Sequence, residues 1–139
     1  MSSDEDLYNE LSYYTLAHAS PTFIHQHFVD AYTAQHAEHT SKPMGIVFSL
    51  IGLYLCVEKG FTGRQVQRAH MQLAKQHRQW PHFEPPVDRG SITIADVLAV
   101  PPGPNRDTMI QVWCVSVWEA WKGCGAQIAE LAKSELGIQ

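Results

Sequence analysis

Residues 44 to 57 read MGIVFSLIGLYLCV, fourteen positions without a charge. A bilayer span needs about 20 such residues, so the run is too short to cross a membrane. Proline at 43 and glycine at 60 bracket it as a start and a stop, which makes it a helix that is apolar on nearly every side. Such a helix has to be wrapped by other elements.

The remaining sequence supplies more helices. Ser2 or Ser3 precedes the acidic turn DEDL, and Leu7, Leu11, Tyr14 and His18 then recur at helical spacing. Ser20 and Pro21 read as the cap and first residue of a second helix that runs to about Glu38. Thr62 with Gln65 has the form of a capping box and opens a fourth helix that ends near Gln79. Asn105 or Asp107 caps a fifth, Thr108 to Lys122. Gly123 and Gly125 interrupt it, and a last amphipathic helix covers about 126 to 136. WPHFEPPVDRG (80–90) and VPPGPN (100–105) are too rich in proline to be helical. Between them TIAD reads as a short helical turn, or SITI as a short strand. With 139 residues the chain is long enough for one domain with its own core. The expectation is a single all-α domain, residues 1–139: a compact bundle of five to six helices with a Pro-rich excursion at about 80–104.

Charge and cysteine content narrow the function classes. The formal charge is −4, which argues against a nucleic-acid binder. The one basic arc, Arg64, Arg68, Lys75 and Arg78, reads as a solvated face. The first ten residues hold four acids and no base, unlike a signal or transit peptide. Cys56, Cys114 and Cys124 form no CxxC pair, and an odd count without a secretion signal favours reduced thiols in the cytoplasm. Cys56 and Cys114 fall on packed faces and read as small hydrophobes.

The polar residues concentrate in FIHQHFVDAYTAQHAEH, residues 23 to 39. A helix turns 100° and rises about 1.5 Å per residue. That step places His25, Tyr32, Gln35 and His36 with Ile24, Phe28 and Val29 on one side. His27 and Asp30 fall on the other side, which together with His39 reads as solvated surface. His25 and His36 share an azimuth but lie about 16 Å apart, so those two alone cannot bind one metal ion. Any divalent metal would need ligands from another helix, with His25 and His36 as the weak candidates. In the third helix Gly45, Ser49, Gly52 and Cys56 form a stripe of small residues. It suits close helix packing, or it makes room for a ligand or for polar side chains of the second helix. Glu119 shares a side of the fifth helix with Val112 and Val115. If that side is buried, Glu119 needs a partner or a raised pKa.

The ordered set HQHFVDAYTAQH, VFSLIGLYLCVEKG, FEPP, ITIADV and VSVWEAW resembles an uncharacterised family of small bacterial proteins, a domain of unknown function. The resemblance runs from about Ser20 to about Gln127. It implies that the elements resembling His25, Asp30, Tyr32, Gln35, His36 and the WEAW tract recur in relatives. It also implies that many relatives begin with a CxxC pair and carry a histidine where this chain has Ser49. This chain has neither, so if those groups bind metal in relatives, ligands are missing here. The resemblance supports fold and bacterial origin more than an activity.

Three readings of function follow. The first is a module that binds a small molecule or a partner in a polar pocket of His25, Tyr32, Gln35, His36 and Ser49, closed by Glu119. The second is a metal-assisted hydrolase that uses the histidines of the second helix. The third is a structural protein that pairs with a second copy through an apolar helix face. None involves nucleic acid or a membrane.

Overall fold

The computed structural model describes residues 3–17 and 22–138. Ser3 caps the first helix, its Oγ accepting from Asp6 N at 3.1 Å. The acids Asp4, Glu5 and Asp6 sit in that first turn, where the helix dipole favours them. The helices are α1 (Asp4–Ala17), α2 (His25–Gln35), α3 (Pro43–Lys59), α4 (Gly63–Ala74), α5 (Ile94–Ala99), α6 (Pro104–Ala120) and α7 (Gly125–Leu136). A 3-10 turn, Lys122–Cys124, joins α6 to α7. Among the described residues there is no strand, so TIAD is helical and the chain is all-α as expected. His18, Ser20 and Pro21 lie outside the described residues.

Local sequence sets most of the boundaries. Pro43 occupies the first turn of α3, and Gly60 ends it in the left-handed conformation at φ 68°. Both capping boxes form: Thr62 with Gln65 on α4, and Thr93 with Asp96 on α5. Several ends differ from expectation, and α2 begins only at His25, with Thr22, Phe23 and Ile24 outside the helix. α2 stops at Gln35 and α4 at Ala74, each short of its expected end. α6 begins earlier, at Pro104, because Gly103 at φ 134° turns the chain into the helix and Asn105 and Asp107 fall inside it.

α3 lies at the centre, packed against α2, α4, α6 and α7. Val47, Leu50, Ile51, Leu53 and Leu55 are fully buried along it. Each such side chain contributes about 1.5–3 kcal/mol on leaving water. α6 is fastened by its tryptophans. Trp113 Nε1 donates to Gln35 Oε1 at 3.0 Å, Trp121 Nε1 to Ala34 O at 3.2 Å, and Trp118 Nε1 to Glu58 Oε2 at 3.1 Å. The Pro-rich segment is strapped over the end of α2. Arg89 donates to the carbonyls of Gln35, Ala37 and Pro86, while Gln35 Nε2 donates to Arg89 O and Ile92 O. Among the described residues no helix is long and apolar enough to cross a membrane.

Candidate functional site

The face of α2 expected to meet solvent is instead buried. His27 and Asp30 are each 3 % exposed. Only His39 of that expected surface stays outside. The reason is that α2 packs against four helices, α1, α3, α4 and α6. The small-residue stripe of α3 receives the polar side. At Gly52 a Cβ would overlap Asp30 Oδ2, and it would stand 2.6 Å from Asp30 Cγ and 3.1 Å from His70 Nε2.

Asp30, Gln26 and His70 form one chain of hydrogen bonds. His70 Nε2 lies 2.8 Å from Phe48 O, an acceptor only, so Nε2 carries the proton. His70 Nδ1 then accepts from Gln26 Nε2 at 3.3 Å, and the second hydrogen of that amide goes to Asp30 Oδ1 at 3.1 Å. Burial holds the imidazole down to about 4 against a small opposing effect of the Phe48 carbonyl. Burial also pushes the Asp30 carboxyl well above the usual range, with the Gln26 bond only partly opposing it. Asp30 Oδ2 lies 3.8 Å from His70 Nε2, yet both shifts favour the neutral forms. Both shifts therefore work against a salt bridge between the two. Asp30 Oδ2 is buried and has no hydrogen-bond partner.

One turn back along α2, His27 meets two cysteines. Cys56 of α3 donates from Sγ to Gln111 Oε1 at 3.3 Å, and Cys114 of α6 donates to His27 O at 3.5 Å. The two sulfurs are near enough for Cys114 to hydrogen-bond a Cys56 thiolate, and the His27 ring lies beside Cys56. The bond from Cys114 pulls the Cys56 thiol down to about 5, burial opposes it, and hydrogen bonding and charge from His27 help. The Cys114 thiol is pushed well up, first by its bond to Cys56 and then by burial. A Cys56 thiolate keeps its amide contact if Gln111 turns Nε2 toward the sulfur.

This corner opens into a cavity of about 240 Å³ lined by Thr22, Ile24, His27, Cys56, Gly60, Phe61, Thr62 and Gln111. His27 Nδ1 is buried in that wall without a hydrogen-bond partner. The turn that closes the cavity is strained and clamped. Phe23 sits at φ 56°, a left-handed conformation that bulky residues rarely adopt. Arg64 holds it, donating from its amide to Thr22 O at 2.8 Å and stacking its guanidinium 4.5 Å from the Phe23 ring.

The residues expected to form a pocket take separate places. His25 Nδ1 meets Thr15 Oγ1 at 2.8 Å, and burial lowers its basicity. Tyr32 stacks on His36 at 4.0 Å between ring centroids, and His36 Nδ1 donates to Tyr32 O at 2.9 Å. Ser49 is buried and donates to Ile46 O in its own helix. Glu119 is exposed and lies 3.2 Å from Lys122 Nζ, because its side of α6 faces outward with Val112 and Val115. Gln35 and His36 do share a cavity of about 350 Å³ with Asp4, Arg89 and Thr93. Gln35 and Arg89 are already bonded within the fold there. Among the described residues no three of His, Cys, Asp and Glu are grouped to hold a metal ion.

The His27–Cys56–Cys114 corner was absent from the sequence-based candidates, since its members come from three helices. The one signal in the sequence was the small stripe of α3, which carries Gly52 and Cys56 at its buried end.

A family model described as a family of unknown function (DUF5946) matches residues 5–122. The chain belongs to that family. The match spans α1 to the end of α6, so every residue of the buried polar seam lies inside the DUF5946 region. No curated protein and no solved structure matches the chain.

Proposed function

We propose that this DUF5946 protein is a small-molecule-binding module whose site is the cavity walled by His27, Cys56, Thr62 and Gln111. The observation that carries the reading is the buried, unpartnered Nδ1 of His27 in the cavity wall. Leaving such an atom unpaired costs about 1–3 kcal/mol, which a ligand with a complementary hydrogen-bonding group would recover. The Gln35–His36 cavity offers a weaker case, because its amide and guanidinium are spent on the fold. The ligand class that fits is a small polar molecule, given a space of about 240 Å³ lined by an imidazole, a thiol, an amide and a hydroxyl.

The test is a fragment screen by NMR on protein labelled at histidine ring and glutamine side-chain nitrogens. Binders should move the His27 and Gln111 signals, lose affinity at least about tenfold in His27→Phe, and keep it in His36→Ala. Binders that instead move His36 and survive His27→Phe would shift the site to the other cavity.

A further inference from the structure

The cavity ends on two thiols, and a binding role alone leaves both unexplained. Cys56 lines the cavity, while Cys114 is wholly buried against the backbone carbonyl of His27. They belong to different helices, α3 and α6, that pack together. Two independent contacts fix their proximity. Gln111, one turn from Cys114 on α6, accepts from Cys56 Sγ at 3.3 Å. His27, the ring beside Cys56, offers its backbone carbonyl to Cys114 Sγ at 3.5 Å. The third cysteine, Cys124, lies apart on the turn between α6 and α7 and bonds to Trp121 O.

We propose that Cys56 and Cys114 form a redox-active dithiol that reduces a small hydroperoxide entering the cavity, with Cys56 as the attacking thiol and Cys114 as the resolving one. The inference rests on the cavity assigned above as the binding site. Cys56 passes its proton to His27, the resulting thiolate attacks the terminal peroxide oxygen, a sulfur–oxygen bond forms and the oxygen–oxygen bond breaks. The departing alkoxide, or hydroxide for hydrogen peroxide, takes a proton from His27 and leaves as alcohol or water. Cys56 is now a sulfenic acid. Cys114 attacks its sulfur, the Cys114 thiol proton joins the departing hydroxide as water, and a Cys56–Cys114 disulfide remains. Two electrons pass from the thiol pair to the peroxide. Two equivalents of an external low-molecular-weight thiol then restore the dithiol by exchange and leave as their own disulfide.

The environment of each sulfur matches its part. The attacking form is the thiolate, and Cys56 is the thiol pulled down, by Cys114 and by His27. Cys114 is pushed up and stays protonated until the sulfenic acid forms. Gln111 and the buried His27 nitrogen supply hydrogen-bonding groups at the place where the peroxide oxygens must sit.

The experiment treats the full chain with hydrogen peroxide, and separately with tert-butyl hydroperoxide, at neutral pH. Intact mass and non-reducing peptide maps are followed over time. One equivalent of hydrogen peroxide should remove two hydrogens and link the Cys56 and Cys114 peptides, at least about tenfold faster than Cys124 oxidises. Cys114→Ser and Cys114→Ala should each stop at a sulfenic acid on Cys56 that dimedone traps. His27→Gln should slow the first step about tenfold. The wild-type peptide map decides the matter even if the Cys114 variants fail to fold. Oxidation of Cys124 first, or of Cys56 to sulfinic acid with Cys114 still free, would overturn the proposal. Fragments that bind at His27 in a protein that forms no disulfide would sink this inference and leave the binding site standing.

Discussion

The Asp30 carboxyl fills the space that a side chain at position 52 would occupy. α3 therefore needs glycine there for a reason that lies in α2. Replacing Gly52 with alanine should destabilise the protein by about 2–3 kcal/mol, because overpacking outweighs the gain in helix propensity. Gly45 is the internal control. It lies in the same helix with nothing within 4 Å of an added Cβ, so Gly45→Ala should stabilise by about 0.5–1 kcal/mol. Urea unfolding of both variants checks the pair, and equal effects of the two would contradict the buried contact.

Asp30 and His70 should leave opposite marks on stability. The Asp30 carboxyl is raised in the folded state, so the folded chain holds a proton that the unfolded chain has released above about pH 3.8. Stability from this group is full below that pH and falls as pH rises toward the folded value. His70 is lowered from 6.5 to about 4, so its contribution is present above pH 6.5 and is lost as pH falls toward 4. Asp30→Asn keeps an acceptor for Gln26 and removes only the first dependence. Wild-type minus variant stability, measured by urea unfolding from pH 4 upward, should decline as pH rises. A flat difference would place an ionised Asp30 in the fold.

Gln35 spends its whole side chain on tertiary structure: Trp113 on one atom, Arg89 and Ile92 on the other. Gln35→Leu should cost about 2–4 kcal/mol, since the buried Trp113 Nε1 loses its acceptor and two part-buried carbonyls lose their donor. His36→Ala, at the exposed end of the same segment, should cost under about 1 kcal/mol. Thermal or urea denaturation separates the two. A large loss at His36 with none at Gln35 would reverse the roles given to them.

How much of this was legible in the sequence depended on how local each signal was. Pro43, Gly60, Thr62 with Gln65, and Thr93 with Asp96 act within a few residues, and the helix ends they mark are where they were expected. The face of α2 was misjudged because a helical wheel ranks one helix by its apolar stripe and is blind to how many neighbours it has. α2 packs against four helices, so its polar side is buried, with Asp30 against Gly52 and His27 against a cavity. The small stripe of α3 did signal a close approach by polar side chains of α2. They proved to be those of His27 and Asp30 rather than His25, Tyr32 and His36. The Cys56–Cys114 contact had no such signal, since it joins two residues more than fifty positions apart in sequence.

The central claim is that the chemistry of this protein sits at His27 and Cys56, and the most direct measurement is the pH dependence of cysteine alkylation. The native chain is treated with iodoacetamide across pH 4–9 and each cysteine is read by peptide mass spectrometry. Cys56 should react with a midpoint near 5 and ahead of the more exposed Cys124, whose thiol burial pushes up. His27→Gln should move the Cys56 midpoint upward, and His36→Ala should leave it in place. Cys124 reacting first throughout, with Cys56 reached only after unfolding, would contradict the claim.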